Sequence, residues 1–411
     1  MKAIKYRGNN LYLENAPIER IAKKVITPFY LYSLKQIKDN FNYFRNSFKQ
    51  TNPLICFSVK SNPNLTILKN LKKLGSGTDV VSIGELQIAL KAGIDPKKIV
   101  FSGVGKTTEE LDYAITKDIL LINAESENEV NEITKIAKRK KCIVKIGLRL
   151  NPNIDAKTIK KISTGGKSDK FGISLEHCLD IFKKNINNSN ISIEALSVHI
   201  GSQIKEIIPF QKTLNLIDKF IQKLKENKIN IKYLDLGGGM AIPYSDTEKK
   251  FNLKKYASMV YQFNKKHKFK IIFEPGRYLS ANSALLVTKV IYIKSIHDRN
   301  FVILDAAMND LMRPALYGAR HEIVPVQKIK SKFNKKIEFV GPICESTDKF
   351  LTYTNYPKLN QGDFVCFTNV GAYGRSLSSN YNIRPLPAEI AVYKNSYRVI
   401  RPRQKLQDLI K

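Results

Sequence analysis

No apolar run in these 411 residues approaches the roughly 18 that a membrane-spanning helix needs. The opening stretch, MKAIKYRGNNLYLENAPIER, lacks the apolar core of a secretory leader. Cysteine is scarce: Cys56, Cys142, Cys178, Cys344 and Cys366 are odd in number, widely spaced and never form a CxxC. That argues against a disulfide framework or a zinc ribbon, and no metal site is expected. The expected compartment is the reducing cytoplasm. Neither a GxGxxG fingerprint nor a Walker A loop occurs, which removes the two commonest nucleotide-binding signatures.

Acidic residues are also short, with 36 Asp+Glu against 69 Lys+Arg, a net charge of +33. Such a balance invites nucleic acid or an acidic membrane surface. The lysines, however, come singly or in pairs such as Lys249-Lys250, Lys265-Lys266 and Lys335-Lys336. No long basic block and no aromatic-basic RNA-binding signature accompanies them. Compositional drift toward Lys, Asn and Ile accounts for the charge. Weak, salt-sensitive attraction of polyanions is expected, with no specific nucleic-acid partner and no membrane partner.

What is present is a repeat. After residue 50, apolar strand-like runs alternate with helical patterns such as LTILKNLKKLG and GELQIALKAG. Eight such runs occur: 54–60, 77–82, 98–103, 120–125, 142–150, 191–200, 231–239 and 270–276. Eight strands alternating with helices predict an α/β fold, a (β/α)8 TIM-type barrel, over residues 25–282. Beyond it, ALLVTKVIYIKS, RNFVILDAA, IEFVGPIC, DFVCFTNVGAY and AEIAVYKNSYRVI are β-rich. They predict an all-β domain, sandwich or barrel, over 283–411, which also takes in residues 1–24.

Active sites of such barrels lie at the C-terminal ends of the strands. Those ends here carry Lys60, Asp79, Arg149, His199, Gly237-Gly238-Gly239 and Glu274. A lysine closing the apolar run LICFSV is costly to bury. Partly desolvated, it becomes a nucleophilic amine, although a lysine snorkelling from a strand end is commoner. The three glycines allow close approach of backbone N–H groups to an anion, or only a tight turn. In EPGRY, Glu274 suits a pyridine nitrogen, and Gly276 with Arg277 suits a phosphate. Lysine, glutamate, GGG and GR together match the aldehyde, ring nitrogen and phosphate of pyridoxal 5'-phosphate. His199 could stack on a flat ring. In the β-rich part, Cys344 could donate a proton and Glu345 could pair with an ammonium. Arg313, Tyr317 and Tyr373 stand beside glycine and proline turns.

The ordered set FSVKSNPN, GTDVVSIGEL, ISTGGKSDKFGI, HIGSQI, DLGGGMAIPY, EPGRYL, DAAMNDLMRPALYGARHEI, GPICESTD and GAYGRSLSSNYN resembles the fold-type III pyridoxal phosphate decarboxylases. The resemblance runs from about Thr27 to Arg401 and is strongest to the branch acting on diaminopimelate. It implies that Lys60 bonds the cofactor aldehyde, with Asp79 close by. Glu274 contacts the ring nitrogen and His199 stacks on the ring. Gly238, Gly239, Gly276 and Arg277 hold the phosphate, with Ser202 nearby. Arg277, Arg313 and Tyr317 bind the retained substrate carboxylate, Glu345 the distal ammonium, and Tyr373 cofactor or substrate. Cys344 protonates the substrate carbon. The resemblance further implies a homodimer with shared sites, Cys344 and Glu345 coming from the partner. The implied reaction is decarboxylation of meso-2,6-diaminopimelate to L-lysine and carbon dioxide, the last step of lysine biosynthesis. Ornithine, arginine and carboxynorspermidine are the alternative substrates. Ser61, Ile83, Arg375 and Leu386 depart from the common pattern.

Overall fold

A strand covered on both faces reads as a continuous apolar run. A computed structural model shows eight such runs closing into one barrel. It describes residues 4–411 except positions 157, 159, 163, 167, 168, 246, 298, 334 and 394. Ser163, Lys167 and Ser168 of ISTGGKSDKFGI therefore lie outside the described residues. The barrel strands are β1 (Leu54–Ser58), β2 (Gly77–Val80), β3 (Ile99–Phe101), β4 (Leu121–Ala124), β5 (Val144–Arg149), β6 (Ile191–Ser197), β7 (Tyr233–Asp235) and β8 (Lys270–Phe273). All pair in parallel with their neighbours in sequence, and β8 closes on β1. β2, β3 and β4 are buried at every residue.

Side-chain caps fix where most of the strand-end loops stop and the next helix begins. Asn64, Ser82, Ser126 and Ser174 each accept a backbone N–H of the helix they precede. Thr107 and Glu110 form a reciprocal capping box. Each cap contributes about 1 kcal/mol. After the first four strands the caps close short loops, so the side chains on them stay at one end of the barrel.

The barrel unit comprises Asn40–Ile242 and Lys249–Tyr278; a β-rich unit comprises Met1–Asp39, Pro243–Glu248 and Leu279–Lys411. In the latter, the 13-residue strand Ala284–Ile296 runs antiparallel to Phe29–Ser33, Arg299–Leu304 and Phe364–Phe367. Leu11, Leu13, Phe29, Leu31, Leu285, Val287, Cys366 and Ile390 share one buried core. The N-terminal hairpin is tied in by Leu11 N–H donating to the Val326 carbonyl at 2.8 Å.

The boundaries differ from the expected 25–282. Phe29–Ser33 is a sheet strand, flanked by Ala284–Ile296 and by Ala388–Tyr393. It is buried at all five residues and directly precedes the helix Leu34–Ser47. It therefore has the same texture as a barrel strand. The chain re-enters the β-rich unit at Leu279 rather than 283. The strands Ile323–Pro325 and Lys349–Tyr353 and the excursion Pro243–Glu248 were not expected. Among the described residues no helix is long and apolar enough to cross a membrane.

Gly77 shows how tightly the barrel wall is packed. A Cβ there would stand 2.1 Å from the Lys98 carbonyl oxygen and 3.0 Å from Cys56 Sγ. Gly77→Ala is expected to destabilise the barrel by about 1–3 kcal/mol. A thermal melt of the variant checks this; an unchanged midpoint would mean the wall yields at no cost.

Candidate active site

After Ser58 the chain tightens into one 3-10 turn, Val59–Ser61, which carries Lys60 off the end of β1. The register of β1 on β2 sets Ser58 opposite Asp79. Asp79 Oδ2 thereby accepts from Ser58 Oγ at 2.7 Å and from Lys60 Nζ at 2.7 Å. The Asp79 side chain is fully buried, while that of Lys60 is 37% exposed. The lysine is thus a held, reachable amine, not one trailing into solvent. The second Asp79 oxygen, Oδ1, is buried with no partner among the described residues.

A polar layer lies across the same barrel end. Glu274, just past β8, accepts from Ser102 Oγ at 3.2 Å. Asn123 Nδ2 donates to Ser102 Oγ at 3.2 Å and to Asp235 Oδ2 at 3.1 Å. Gly237 N–H donates to Asp235 Oδ1 at 2.9 Å. Burial, with Asp235 and Asp79 close by, pushes the Glu274 carboxyl well above its ordinary range. Burial pushes Asp235 up as well. Both shifts favour the protonated form, and the two carboxyls titrate as one pair.

His199 follows β6, and Gly238 N–H donates to its Nδ1 at 3.2 Å. Burial first, then the Arg149 and Lys60 charges, holds the imidazole well below the usual histidine range. The ring is therefore neutral, and the backbone donor places its own proton on Nε2. Arg149 is bound at 2.7 Å to Glu125, which also accepts the Gly103 and Gly172 N–H groups at 3.0 Å. Arg277 reaches Ser202 Oγ through Nη2 at 3.0 Å and Nε at 3.3 Å.

The glycines here are required by space. Gly237, at φ +61°, would place a Cβ 2.7 Å from His199 Nδ1, and Gly238 would place one 2.4 Å from the Glu274 carbonyl. A Cβ on Gly276 would meet Ser61 at 2.9 Å. Ser61 itself is settled by its hydroxyl donating to the Ser58 carbonyl at 2.7 Å.

The remaining expected residues belong to the β-rich unit. Arg313 and Tyr317 begin and end one short helix. Arg313 is buried, its Nη1 at 2.9 Å from the Tyr244 hydroxyl and 2.8 Å from His321 Nε2. Tyr373 adopts φ 56°, a left-handed backbone that costs energy outside glycine. Cys344 and Glu345 occupy an exposed loop. Beneath it, Asp348 accepts the Met308 N–H at 2.7 Å and the Ile343 N–H at 2.8 Å. The hydroxyls of Thr347 and Tyr381 hold the Glu345 carboxyl below its ordinary range.

Several functional groups escaped sequence reasoning. Asp235, Ser102 and Asn123 form the layer under Glu274, but each reads as an ordinary strand-end residue. Glu85 opens the helix Ile83–Lys91, where a first-turn glutamate is common. Its Oε2 accepts the Val81 N–H at 2.9 Å. Burial raises its pKa to about 7, with Lys60 opposing and Asp79 reinforcing. Between its ordinary 4.5 and about 7, the folded chain thus keeps a proton that the unfolded chain has released. The native state loses stability across that window as pH rises. Glu85→Gln is expected to be more stable than the parent by about 1–3 kcal/mol at pH 8 and equal near pH 4. Denaturant melts at both pH values measure this, and equal stability at pH 8 contradicts it.

Residues 34–281 match the family model for the pyridoxal binding domain of pyridoxal-dependent decarboxylases. The chain is 40% identical to the diaminopimelate decarboxylase of Haemophilus influenzae over 410 residues, covering 100% of this chain and 98% of the relative. It is 41% identical to that of Helicobacter pylori over 95% of this chain and 96% of the relative. The solved structure of the Helicobacter pylori enzyme complexed with L-lysine superposes with a TM-score of 0.92, at 40% identity over 95% of this chain and 98% of that one. The M. jannaschii enzyme in co-complex with L-lysine gives 0.95, at 34% identity over 100% and 98%. The chain belongs to the diaminopimelate decarboxylase family of pyridoxal-dependent decarboxylases.

Proposed function

We propose that the chain decarboxylates meso-2,6-diaminopimelate to L-lysine and carbon dioxide, with pyridoxal 5'-phosphate as cofactor, as a cytoplasmic homodimer. One observation carries this reading: an amine, Lys60, held by buried Asp79 at the same barrel mouth where burial pushes the Glu274 carboxyl up. The donor set fits the cofactor. Lys60 would bond its aldehyde and Glu274 its ring nitrogen. His199, neutral and flat, would cover the ring. Gly238, Gly239, Gly276 and Arg277, with Ser202, would bind the phosphate, and Tyr373 would contact cofactor or substrate. The buried, unpartnered Asp79 Oδ1 leaves one acceptor for a donor brought by a ligand. When bound, the cofactor supplies an aldehyde for amines and a ring that stores the electron pair left by the departing carboxylate.

The chain's own residues do the rest. The ion pair with Asp79 keeps Lys60 Nζ aimed while another amine replaces it. The Asp235–Glu274 pair favours a proton at a Glu274 oxygen, where a ring nitrogen can share it. Cys344 delivers a proton to the substrate carbon. Arg277, Arg313 and Tyr317 bind the carboxylate that is retained, and Glu345 binds the distal ammonium. Ornithine, which lacks a second carboxylate, gives these arginines nothing to bind. Cys344 and Glu345, exposed on their loop, would serve the site of the partner subunit. The five cysteines are all free thiols, as the cytoplasm allows.

With added cofactor, the purified protein should release lysine and carbon dioxide in equal amounts from meso-diaminopimelate and nothing from ornithine or arginine. Release of putrescine instead would overturn the substrate assignment. Lys60→Ala should lose both activity and the borohydride-sensitive visible absorption band. Mixing Lys60→Ala with Cys344→Ala should restore part of the activity, since one site of the mixed dimer would have both groups. No recovery after subunit exchange would exclude the shared site.

A further inference from the structure

A guanidinium that binds a carboxylate needs its fork aimed by groups that leave its charge intact. Around Arg313 the geometry supplies such a device. Arginine can only donate, so His321 Nε2, at 2.8 Å from Arg313 Nη1, must offer a lone pair. A carbonyl can only accept, so His321 Nδ1, at 2.9 Å from the Thr368 oxygen, must carry the proton. The two contacts admit one state of the ring, the neutral Nδ1–H tautomer.

Local structure explains how the ring arrives there. The helix Arg313–Tyr317 stops at Gly318, whose φ of +63° turns the chain back. Five residues later the strand Ile323–Pro325 begins and pairs with Phe364–Phe367. Thr368 N–H donates to the Glu322 carbonyl at 2.9 Å, extending that ladder by one rung beside His321. Tyr244 completes the packing. Its ring stands edge-on to His321, centroids 5.1 Å apart at 86°, and lies 4.9 Å beneath the Arg313 guanidinium. His321 is 1% exposed, so both of its ring nitrogens find their partners within the protein.

We propose that His321 is a positioning residue for Arg313, aiming the guanidinium at the carboxylate the substrate retains. This rests on the reading that Arg313 binds that carboxylate. His321→Leu should raise KM for meso-diaminopimelate about tenfold or more, the scale of one lost hydrogen bond to a charged group, while kcat stays within about threefold. Lysine, which keeps the carboxylate, should inhibit His321→Leu correspondingly less. Pentane-1,5-diamine, the same chain without it, should inhibit parent and variant alike. His321→Gln, whose amide offers one donor and one acceptor, should restore lysine inhibition.

Visible absorption of the bound cofactor and a thermal melt show that each variant is folded. If His321→Leu does not fold, His321→Asn, too short to span from Thr368 to Arg313, carries the same expectations. A fall in kcat at unchanged KM, or equal weakening of lysine and the diamine, overturns the proposal. Arg313→Leu separates the two ideas. If it weakens lysine while His321→Leu does not, only the positioning role fails. If it leaves lysine inhibition unchanged, the reading of Arg313 fails and the role of His321 fails with it.

Discussion

Asp79, Asp235 and Glu274 are all buried at one end of an apolar barrel, where ionised carboxylates are expensive. The arrangement of the site follows from how that cost is met. Lys60 offsets Asp79 by direct pairing. Asp235 and Glu274 are relieved by a raised pKa and by accepting from Gly237, Asn123 and Ser102. The glycines follow in turn, because a side chain at Gly237 or Gly238 would occupy space already filled by His199 or by the Glu274 backbone. An electrostatic constraint thus becomes a steric one. The outcome is a fixed amine and a fixed pair of carboxyls, each anchored by different strands.

The β-rich unit meets a different demand. Arg313 is buried and held by a hydroxyl and an imidazole. Glu345 is exposed yet still tethered, by Thr347 and Tyr381, above the buried anchor Asp348. The turn beside it is strained: Asn382 and Ile383 both have positive φ, which a β-branched residue rarely adopts. Strain of that kind survives where surrounding contacts over-determine the backbone. An exposed carboxylate on a rigid perch loses little freedom when it meets a ligand.

The barrel was legible because a parallel strand buried on both faces leaves largely apolar sequence, and runs such as Leu54–Ser58, Ile99–Phe101 and Leu121–Ala124 did so at regular spacing. Its site was legible because Lys60, His199 and Glu274 end such runs, where apolar sequence makes an ionisable residue conspicuous. Glu85 and Asp235 were not, because each also has an ordinary local reason to be where it is. Only the barrel's register brings Asp235 to Asn123, or Glu85 toward Lys60. His321 was hidden for the same reason: its partners Arg313 and Thr368 meet it only through a turn and a strand pair. Lys349–Tyr353 eluded sequence reasoning because none of its residues is fully buried, so its pattern barely departs from a loop. Phe29–Ser33 was not picked out as a strand at all: it fell within the expected barrel span of 25–282, and its buried pattern says nothing of which strands do the burying.

That last strand has a consequence for how the protein is made. Phe29–Ser33 is interior to the sheet, yet its two partners lie in the final third of the chain. In chain order the barrel is an insert within the β-rich unit. During synthesis the barrel can collapse on local strand–helix contacts while this apolar segment waits, its edges unpaired. Only when Ala388–Tyr393 emerges does the strand gain its second neighbour. A chain that stopped before Ala388 would leave one edge of this buried apolar strand without its ladder.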